Sequence, residues 1–389
     1  MKNINNFFSG KGISIKLPPT KANNLYRPTA QYGIECFNFV HVNKGCFVKK
    51  NAPIILKECF FLLKPSGYLI IDYLQNKDLS FQAMEELFWW LFKGNYEIKL
   101  HKKNLLSQII VQKKKSVFTK EDNIEKWTFG IVTNGERNDW LEEIIHSIQN
   151  LKIPNYEIIV CGKYKNRKEK NFTYIDFNQR GEKGWITKKK NLICEKAKYE
   201  NLCIIHDRLV FDKNWYEGIK KYGNAFELLG CTQIEKTTKT HAGDWLTLGG
   251  PIGTLYKIAR IKETDWDYYT FLSGQLMIIK KSIWRKILWN ETMYWGDQED
   301  GDISFRARDL GYLIRFNPYS SLTALAWRFG NIPLKHDRSE GFFPKDMLMR
   351  RTFRFFGNYL SHIPFMGIIL AKIFLLFKKV PIYKQFLYK

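Results

Sequence analysis

Between residues 127 and 318 the sequence alternates apolar runs of strand length with amphipathic segments of helical length. Residues 127–133 predict a strand, and residues 138–150 predict a helix that carries its apolar side chains on one face. Another apolar run follows at residues 156–160. This order of strand, helix and strand predicts an α/β fold with a mostly parallel sheet, in which ligands lie beyond the carboxyl ends of the strands. The residues that follow each strand are therefore the first place to look for a function.

Residues 1–120 repeat this alternation on a smaller scale. We predict loop for residues 1–36, then strands at 37–40, 68–73, 96–101 and 106–112 and helices at 53–63 and 81–92. The segment 63–72, Leu-Lys-Pro-Ser-Gly followed by an apolar strand, resembles the C-terminal half of class I S-adenosylmethionine-dependent methyltransferases. The cofactor-binding half of that family has no counterpart, since only a Gly-x-Gly at residues 10–12 precedes the segment. The resemblance implies a smaller, truncated methyltransferase-like α/β domain, and we expect no S-adenosylmethionine to bind.

The composition narrows the choice of partners. The formal net charge is +24, with 62 Lys and Arg against 38 Asp and Glu, and this surplus favours anionic partners. The basic residues form no known recognition module, so we expect no nucleic acid. The 7 cysteines include no C-x-x-C pair, and the N-terminus lacks a basic segment followed by an apolar one. We therefore expect a cytoplasmic location.

Polar residues occupy the strand ends and helix starts of the second region. They are Thr133, Asn134 and Glu136 after the first strand, Lys189 and Asn191 on a helix after residue 184, and Gly274 in the strand 273–279. In this order they resemble the family 2 glycosyltransferases, which have the GT-A fold, over residues 127–336. The resemblance implies a Rossmann-like mixed sheet and assigns these residues to the binding of a nucleotide-sugar donor. Lys189 would meet the donor diphosphate, although a solvated lysine run gives the same pattern. Cys161-Gly162-Lys163 stand where the family has acids for the base and ribose, which leaves the nucleotide open.

The apolar run 202–205 ends in His206, Asp207 and Arg208. The family has an Asp-x-Asp-type motif at this point, and its carboxylates hold a divalent cation on the diphosphate. The resemblance therefore implies Mn²⁺ or Mg²⁺ at Asp207, with His206 and His336 as further ligands. Only one carboxylate is present here, and Arg208 offers the alternative of a direct bond to phosphate. Asp207 and Arg208 are both assigned to the donor site.

Four acids lie within the six residues 297–302, between Trp295-Gly296 and Gly311-Tyr312. This pattern resembles the Glu-Asp segment that begins a helix in inverting GT-A enzymes. The resemblance assigns Asp300 as the general base, with Glu299 as the second choice. A carboxylate at a helix start can take the proton of an acceptor hydroxyl while that hydroxyl attacks the anomeric carbon. Acids at a helix start also complement the helix dipole, which is the structural alternative.

Residues 345–389 have a different composition, with nine basic residues against one acid around an apolar stretch at 363–377. The apolar stretch is shorter than the ~20 residues that a spanning helix needs. We therefore predict an amphipathic helical tail that lies on an anionic membrane surface. A helical hairpin packed on the preceding domain is the alternative.

Together these patterns predict three parts, at residues 1–120, 125–340 and 345–389. The function expected from the resemblance is an inverting glycosyltransferase at the inner face of the cell membrane, with a nucleotide-sugar donor and a glycan or lipid-linked acceptor. A non-catalytic relative that binds a nucleotide sugar or a glycan is the alternative. The missing acids at residues 161–163 and beside Asp207 give that alternative its weight.

Overall fold

The structure is a computed structural model, and it describes residues 7–16, 23–46, 51–76, 79–102, 106–165, 169–177, 184–248 and 258–327, together with Met366 and Ile369. The chain divides into two compact units, Met1–Leu246 with Lys262–Asn331, and Thr247–Ile261 with Ile332–Lys389. His336 lies outside the described residues. So does the predicted tail 345–389, apart from Met366 and Ile369, which are helical.

The N-terminal part of the first unit contains a five-stranded sheet in the order β1-β2-β3-β5-β4. Its elements are β1 (Gly12–Ile15), α1 (Pro28–Tyr32), β2 (Phe37–Val42), α2 (Ala52–Leu62), β3 (Leu63–Leu74), α3 (Phe81–Phe92), β4 (Tyr96–Lys102) and β5 (Leu106–Lys113). β1, β2 and β3 are parallel, and β5 and β4 continue the sheet in antiparallel pairs. The predicted strands and helices of this part are confirmed. The likeness to a methyltransferase stays a prediction.

Two differences from the sequence prediction occur in this part. β1 and α1 lie in the stretch predicted to be loop. β1 is a short strand whose residues pair with residues of β2 that lie 27 positions further along the chain, so no local period marks it. Residues 64–67 (Lys-Pro-Ser-Gly), which the sequence predicts to be a turn between the helix 53–63 and the strand 68–73, fall inside β3, where the pairing with β2 skips from Leu63 to Tyr68. The four residues bulge out of the register and the strand then continues.

Helix α2 is buried along its whole length. It nevertheless carries Lys57 and Glu58, and both are paired. The Lys57 ammonium donates to Glu227 over 2.7 Å, and Glu58 forms ion pairs with Arg27 and Arg315. Because a buried charge is costly unless it is paired, these contacts stabilise the joint between the N-terminal part and the rest of the unit.

The larger part of the first unit contains an eight-stranded sheet in the order β10-β16-β11-β15-β9-β6-β7-β8. Its strands are β6 (Lys126–Val132), β7 (Asn155–Gly162), β8 (Phe172–Asp176), β9 (Asn201–His206), β10 (Leu209–Phe211), β11 (Leu228–Glu235), β15 (Leu276–Lys280) and β16 (Ile314–Ala324). The helices of this region are α4 (Asn138–Gln149), α5 (Ile186–Lys196), α6 (Trp215–Tyr222), α7 (Lys281–Ile287) and α8 (Glu299–Asp309). Three short strands complete the described elements: β12 (Trp245–Leu248), β13 (Ile258–Arg260) and β14 (Thr270–Leu272).

The eight-stranded sheet is mixed and mostly parallel. β8, β7, β6 and β9 are parallel neighbours, and β11 and β16 run the same way. β15 runs antiparallel between β9 and β11, and β10 is antiparallel to β16. The predicted mixed α/β sheet is confirmed.

The helices bring side chains to the carboxyl edge of this sheet. α4 and α6 cover one face through a cluster that includes Leu141, Ile145 and Trp215. On α5, Ile193 approaches β6 where Gly130 has no side chain; a Cβ there would stand 2.4 Å from an Ile193 methyl carbon. The close packing holds α5 beside the ends of β6 and β9. None of the described helices has the length and hydropathy that crossing a bilayer requires.

Candidate functional site

The carboxyl end of β6 is tied to the carboxyl end of β9 through Asp207. The Thr133 hydroxyl donates to Asp207 Oδ2 over 2.7 Å, and the Arg137 guanidinium lies 3.4 Å from Asp207 Oδ1. The turn after β6 holds this arrangement, because the Gly135 N–H donates to the Thr133 hydroxyl. The end of β7 also approaches closely, since a Cβ on Gly162 would lie 1.9 Å from the Thr133 carbonyl oxygen. A polar, half-enclosed site therefore forms where parallel strands are expected to bind ligands.

Lys189 brings a buried cation to this strand end. It lies on α5 with only 3% of its surface exposed, and its Nζ donates to the Thr133 carbonyl oxygen over 2.8 Å. Burial lowers the pKa of the ammonium, and the charges of Cys161 and Asp207 act in the opposite direction. No carboxylate among the described residues forms an ion pair with it. An ammonium has three donors, so this one retains capacity for an anion.

His206 and Gln275 form the floor of the site between β9 and β15. The two residues face each other, since the His206 N–H donates to the Gln275 carbonyl oxygen over 3.0 Å. Both side chains are buried, and within the described part of the chain His206 Nε2 and Gln275 Oε1 have no hydrogen-bond partner. Burial and the charges of neighbouring cations hold the pKa of the His206 imidazole well below its usual range. The neutral imidazole of His206 and the amide oxygen of Gln275 therefore each have unused hydrogen-bonding capacity.

The start of α8 carries a pair of carboxylates. Glu299 is buried and pairs with the buried Lys190 of α5 over 3.0 Å. Asp300 Oδ2 accepts the N–H of Gly274 over 2.8 Å. Gln298, directly before the helix, has φ +63°, which is costly for a residue other than glycine and turns the chain sharply into α8.

Gly274 explains how close these carboxylates come to the sheet. A Cβ at this position would stand 2.6 Å from Glu299 Oε1 and 3.2 Å from Asp300 Cβ. Its carbonyl oxygen also accepts from Lys190 Nζ over 2.9 Å. The absent side chain lets the helix start pack against the residue before β15, so any larger residue would push the carboxylates away.

Asp300 is the carboxylate whose ionisation the site perturbs. Burial raises its pKa, and the adjacent negative charge of Glu299 raises it further. The N–H groups of Gly274 and Gly301 and the charge of Lys190 act in the opposite direction. A carboxylate with a raised pKa is a stronger base than an ordinary aspartate once it is ionised.

The two clusters are neighbours, because consecutive residues join them. Lys189 contacts the end of β6, while Lys190 contacts Glu299. Gln275 faces His206, while Gly274 contacts Asp300. The site therefore has a cationic end at β6 and β9 and a carboxylate end at α8.

The structure leaves some of the predicted residues apart from this site. Asn134 and Glu136 are exposed, and the Asn134 side chain accepts the Glu136 N–H. The Asn191 side chain is committed to Trp284, Trp289 and Glu291 by four hydrogen bonds. Arg208 is half-buried directly after Asp207, and its charge acts on the His206 imidazole.

Three residues of the site had no role assigned from the sequence: Arg137, Lys190 and Gln275. Arg137 nevertheless lies in the segment directly after the first predicted strand, which is where the sequence directed the search for a function. Lys190 also had a detectable signal, because it lies four residues after Ile186 and three before Ile193 and so shares their buried helix face. The neighbouring lysines masked this periodicity. The contacts of Gln275 are long-range, and no local pattern marks them.

The expected divalent cation does not fit the described side chains well. Both oxygens of Asp207 are engaged, by a hydroxyl and by a guanidinium. The charges that act most strongly on His206 are those of Lys190, Arg208, Lys189 and Arg137. The described residues contain no group of three His, Cys, Asp or Glu that could hold a metal ion.

Comparison with known proteins gives similarity to solved structures only. No protein-family model matches the chain, and no curated protein matches it. A crystal structure of GalNAc-T7 with UDP, GalNAc and Mn²⁺ is 16% identical, with a TM-score of 0.40, over 60% of this chain and 48% of that one. Residues 1–349 of S. aureus TarS are 13% identical, with a TM-score of 0.35, over 51% of this chain and 60% of that one. A further S. aureus TarS structure is 13% identical, with a TM-score of 0.36, over 52% of this chain and 37% of that one. The chain thus covers less than two thirds of each of these proteins, and similarity at this level decides nothing about activity.

Proposed function

We propose that the chain is a glycosyltransferase that moves a sugar from a nucleotide-sugar donor to a glycan or lipid-linked acceptor, with inversion at the anomeric carbon. The observation that carries the proposal is one site with cations at one end and a base at the other. Lys189 and Arg137 stand at the ends of β6 and β9, and Asp300 stands at the start of α8. This separation of cations from a carboxylate suits a substrate that is anionic at one end and reacts with a hydroxyl at the other.

The cationic end suits the diphosphate of the donor. Lys189 is a buried ammonium with one carbonyl acceptor in the described part of the chain, and Arg137 presents a half-buried guanidinium beside Asp207. Phosphate oxygens pair strongly with both groups, through charge-assisted hydrogen bonds. The diphosphate gains charge as it leaves, so cations at this end stabilise the transition state more than the bound donor.

The floor of the site suits the sugar. His206 Nε2 and Gln275 Oε1 are buried and without described partners. A buried polar atom without a partner costs about 1–3 kcal/mol. Sugar hydroxyls both donate and accept, so a sugar bound between Asp207 and Gly274 would satisfy both atoms.

The carboxylate end supplies the base. In the proposed step the acceptor hydroxyl gives its proton to Asp300, and its oxygen forms a bond to the anomeric carbon. The bond between that carbon and the diphosphate oxygen breaks, and its electron pair leaves with the diphosphate. Attack from the face opposite the leaving group inverts the configuration. Glu299 is held by Lys190, so Asp300 is the better placed of the two acids.

The test is a panel of nucleotide sugars, read by the melting temperature of the protein and by release of the free nucleotide. A donor that binds the folded state raises the melting temperature by mass action. We expect one nucleotide class to bind and to be consumed, and NMR of the product to show an inverted anomeric centre. Binding without turnover for any acceptor would favour a non-catalytic nucleotide-sugar or glycan-binding protein. No binding across the panel would refute the proposal.

The acceptor side of the proposal includes a membrane surface. The basic residues of 345–389 lie outside the described part of the chain, and the proposal for them rests on sequence alone. We expect the full chain to sediment with liposomes that contain anionic lipid. Changing Lys378 and Lys379 to Gln should weaken that binding, at ~1 kcal/mol for each charge removed. Equal sedimentation of both proteins would remove the membrane from the proposal.

A further inference from the structure

We infer that the site neutralises the donor diphosphate with its own cationic side chains, chiefly Lys189 and Arg137, and binds the donor without a divalent cation. The inference rests on the proposed function, because it concerns the diphosphate of the same donor. It differs from the expectation drawn from the sequence, which placed Mn²⁺ or Mg²⁺ at Asp207. Three features of the site support it.

The first feature is the state of Asp207. Its Oδ2 accepts the Thr133 hydroxyl over 2.7 Å, and its Oδ1 faces the Arg137 guanidinium at 3.4 Å. A divalent cation would have to displace the guanidinium or share an oxygen with it. The Asp207 carboxylate therefore holds the Arg137 side chain at the strand end, where its guanidinium can bond to phosphate.

The second feature is the set of cations around His206. This residue stands where the Asp-x-Asp-type pattern has its first acid, and Asp207 beside it faces the Arg137 guanidinium. Lys189 lies against the end of the neighbouring β6, and Arg208 follows Asp207 in the chain. These three cations would repel a dication beside His206 and attract a diphosphate.

The third feature is the shortage of partners for Lys189. This lysine is buried, and its ammonium has one carbonyl acceptor among the described residues. Lys113, which is also buried, has three acceptors: Glu35 and the carbonyl oxygens of Phe60 and Leu63. A buried cation with an incomplete set of acceptors is stabilised when an anion supplies the rest.

The experiment measures binding by calorimetry, with UDP, GDP, CDP and ADP and the sugar nucleotides of the class that binds. Each titration is run with EDTA, with Mn²⁺ and with Mg²⁺. We expect the dissociation constant to agree within about twofold across the three conditions. Lys189→Met should weaken binding at least ~10-fold in EDTA, because it removes a charge-assisted bond to phosphate.

Lys188→Met is the matched control. Lys188 is the preceding residue of the same helix, and it pairs with Glu291 at a half-exposed position. The control removes the same charge from the same helix, and it should leave nucleotide binding unchanged. If Lys189→Met does not fold, Arg137→Gln tests the same cationic end. Equal loss in the Lys188 and Lys189 variants would indicate a general effect of charge and would overturn the assignment of Lys189.

Asp207→Asn separates the two ways of neutralising the diphosphate. Asparagine can still accept the Thr133 hydroxyl, but it lacks the negative charge beside the diphosphate. With side-chain neutralisation, binding in EDTA persists and stays independent of metal, because Lys189 and Arg137 keep their charges. Binding that appears only with Mn²⁺ or Mg²⁺ and is lost in Asp207→Asn would overturn the inference and leave the proposed function standing. Absence of binding by every nucleotide and nucleotide sugar, with or without metal, would overturn both.

Discussion

Two of the regions where the first unit buries charged side chains differ in how those charges are paired. Around α2, Glu58 accepts from Arg27, Thr29 and Arg315, all within buried surroundings. At the end of β6, the described residues offer Lys189 one carbonyl acceptor and no carboxylate in an ion pair. A buried charge is costly unless it is paired, and the charges around α2 have ion-pair partners within the protein. We read a buried charge with an ion-pair partner as part of a structural joint, and a buried cation without one as a place for an anionic ligand.

The same distinction separates the two acids at the start of α8. Glu299 has its cation in Lys190. Among the described residues, Asp300 accepts its hydrogen bonds from backbone N–H groups, and burial raises its pKa. Glu299, which pairs with Lys190, positions the start of the helix. Asp300, which has no such ion pair among the described residues, is the acid that we propose takes the proton. Substitutions in the two regions should therefore have opposite kinds of effect.

Asp300→Asn carries the largest expected effect. It removes the base and keeps the size of the side chain, so turnover should fall by about 10²–10⁴-fold while the melting temperature changes little. Turnover of the identified donor is measured beside circular dichroism of the variant. Asp302→Asn is the control, because Asp302 pairs with Arg306 on the same helix and is not placed at the site. Similar turnover in Asp300→Asn and wild type would show that another group takes the proton.

Glu58→Gln should act on stability instead. It leaves Arg27 and Arg315 without their shared carboxylate in a buried setting. Breaking a buried ion pair in this way costs about 3–5 kcal/mol of unfolding free energy. Denaturant unfolding measures the loss, and nucleotide affinity of the folded variant should match wild type. A loss of nucleotide affinity with unchanged stability would show that Glu58 belongs to the binding site and not to the structural joint around α2.

The same substitution, Lys to Met, made separately at two buried positions, tests the comparison directly. Lys113→Met deprives three acceptors of their donor, so the free energy of unfolding should fall by about 1–3 kcal/mol. Lys189→Met removes a buried charge with one acceptor, so the ligand-free protein should gain up to about 1 kcal/mol. Denaturant unfolding without nucleotide measures both. A change of the same sign in the free energy of unfolding of both variants would contradict the distinction between paired and unpaired buried charges.

Local pattern was sufficient to predict much of the fold. α3 has the bounds that its periodicity predicts, and β6, β7 and β9 lie on the predicted apolar runs. The resemblance drawn from the sequence assigned Thr133 and Asp207 to one donor site, and the structure brings the two side chains into contact. These successes share a cause, because burial imposes a period of two or 3.6 on the residues that form each element.

The pairs that complete the site could not be predicted in this way. Arg137 and Asp207 are 70 residues apart, and Lys190 and Glu299 are 109 residues apart. Such contacts arise from the packing of α5 and α8 on the sheet, and no spacing in the sequence encodes them. Asn191 shows the converse, since a residue expected to bind the donor is instead hydrogen-bonded to the segment before α8.

The smallest expected effect is a shift in pH dependence, and it tests whether Glu299 tunes Asp300. Asp300 accepts a proton only when it is ionised, so kcat/KM should fall as the pH drops through its raised pKa. The negative charge of Glu299 opposes that ionisation. Glu299→Gln removes the charge and lowers the pKa of Asp300, which moves the acid limb of the profile to lower pH. The profile of Asp302→Asn should keep its acid limb in place, because Asp302 is not among the charges that shift Asp300. A limb that stays in place in Glu299→Gln would mean that burial alone raises the pKa of the base, and that the pair of acids is a structural feature of the helix start.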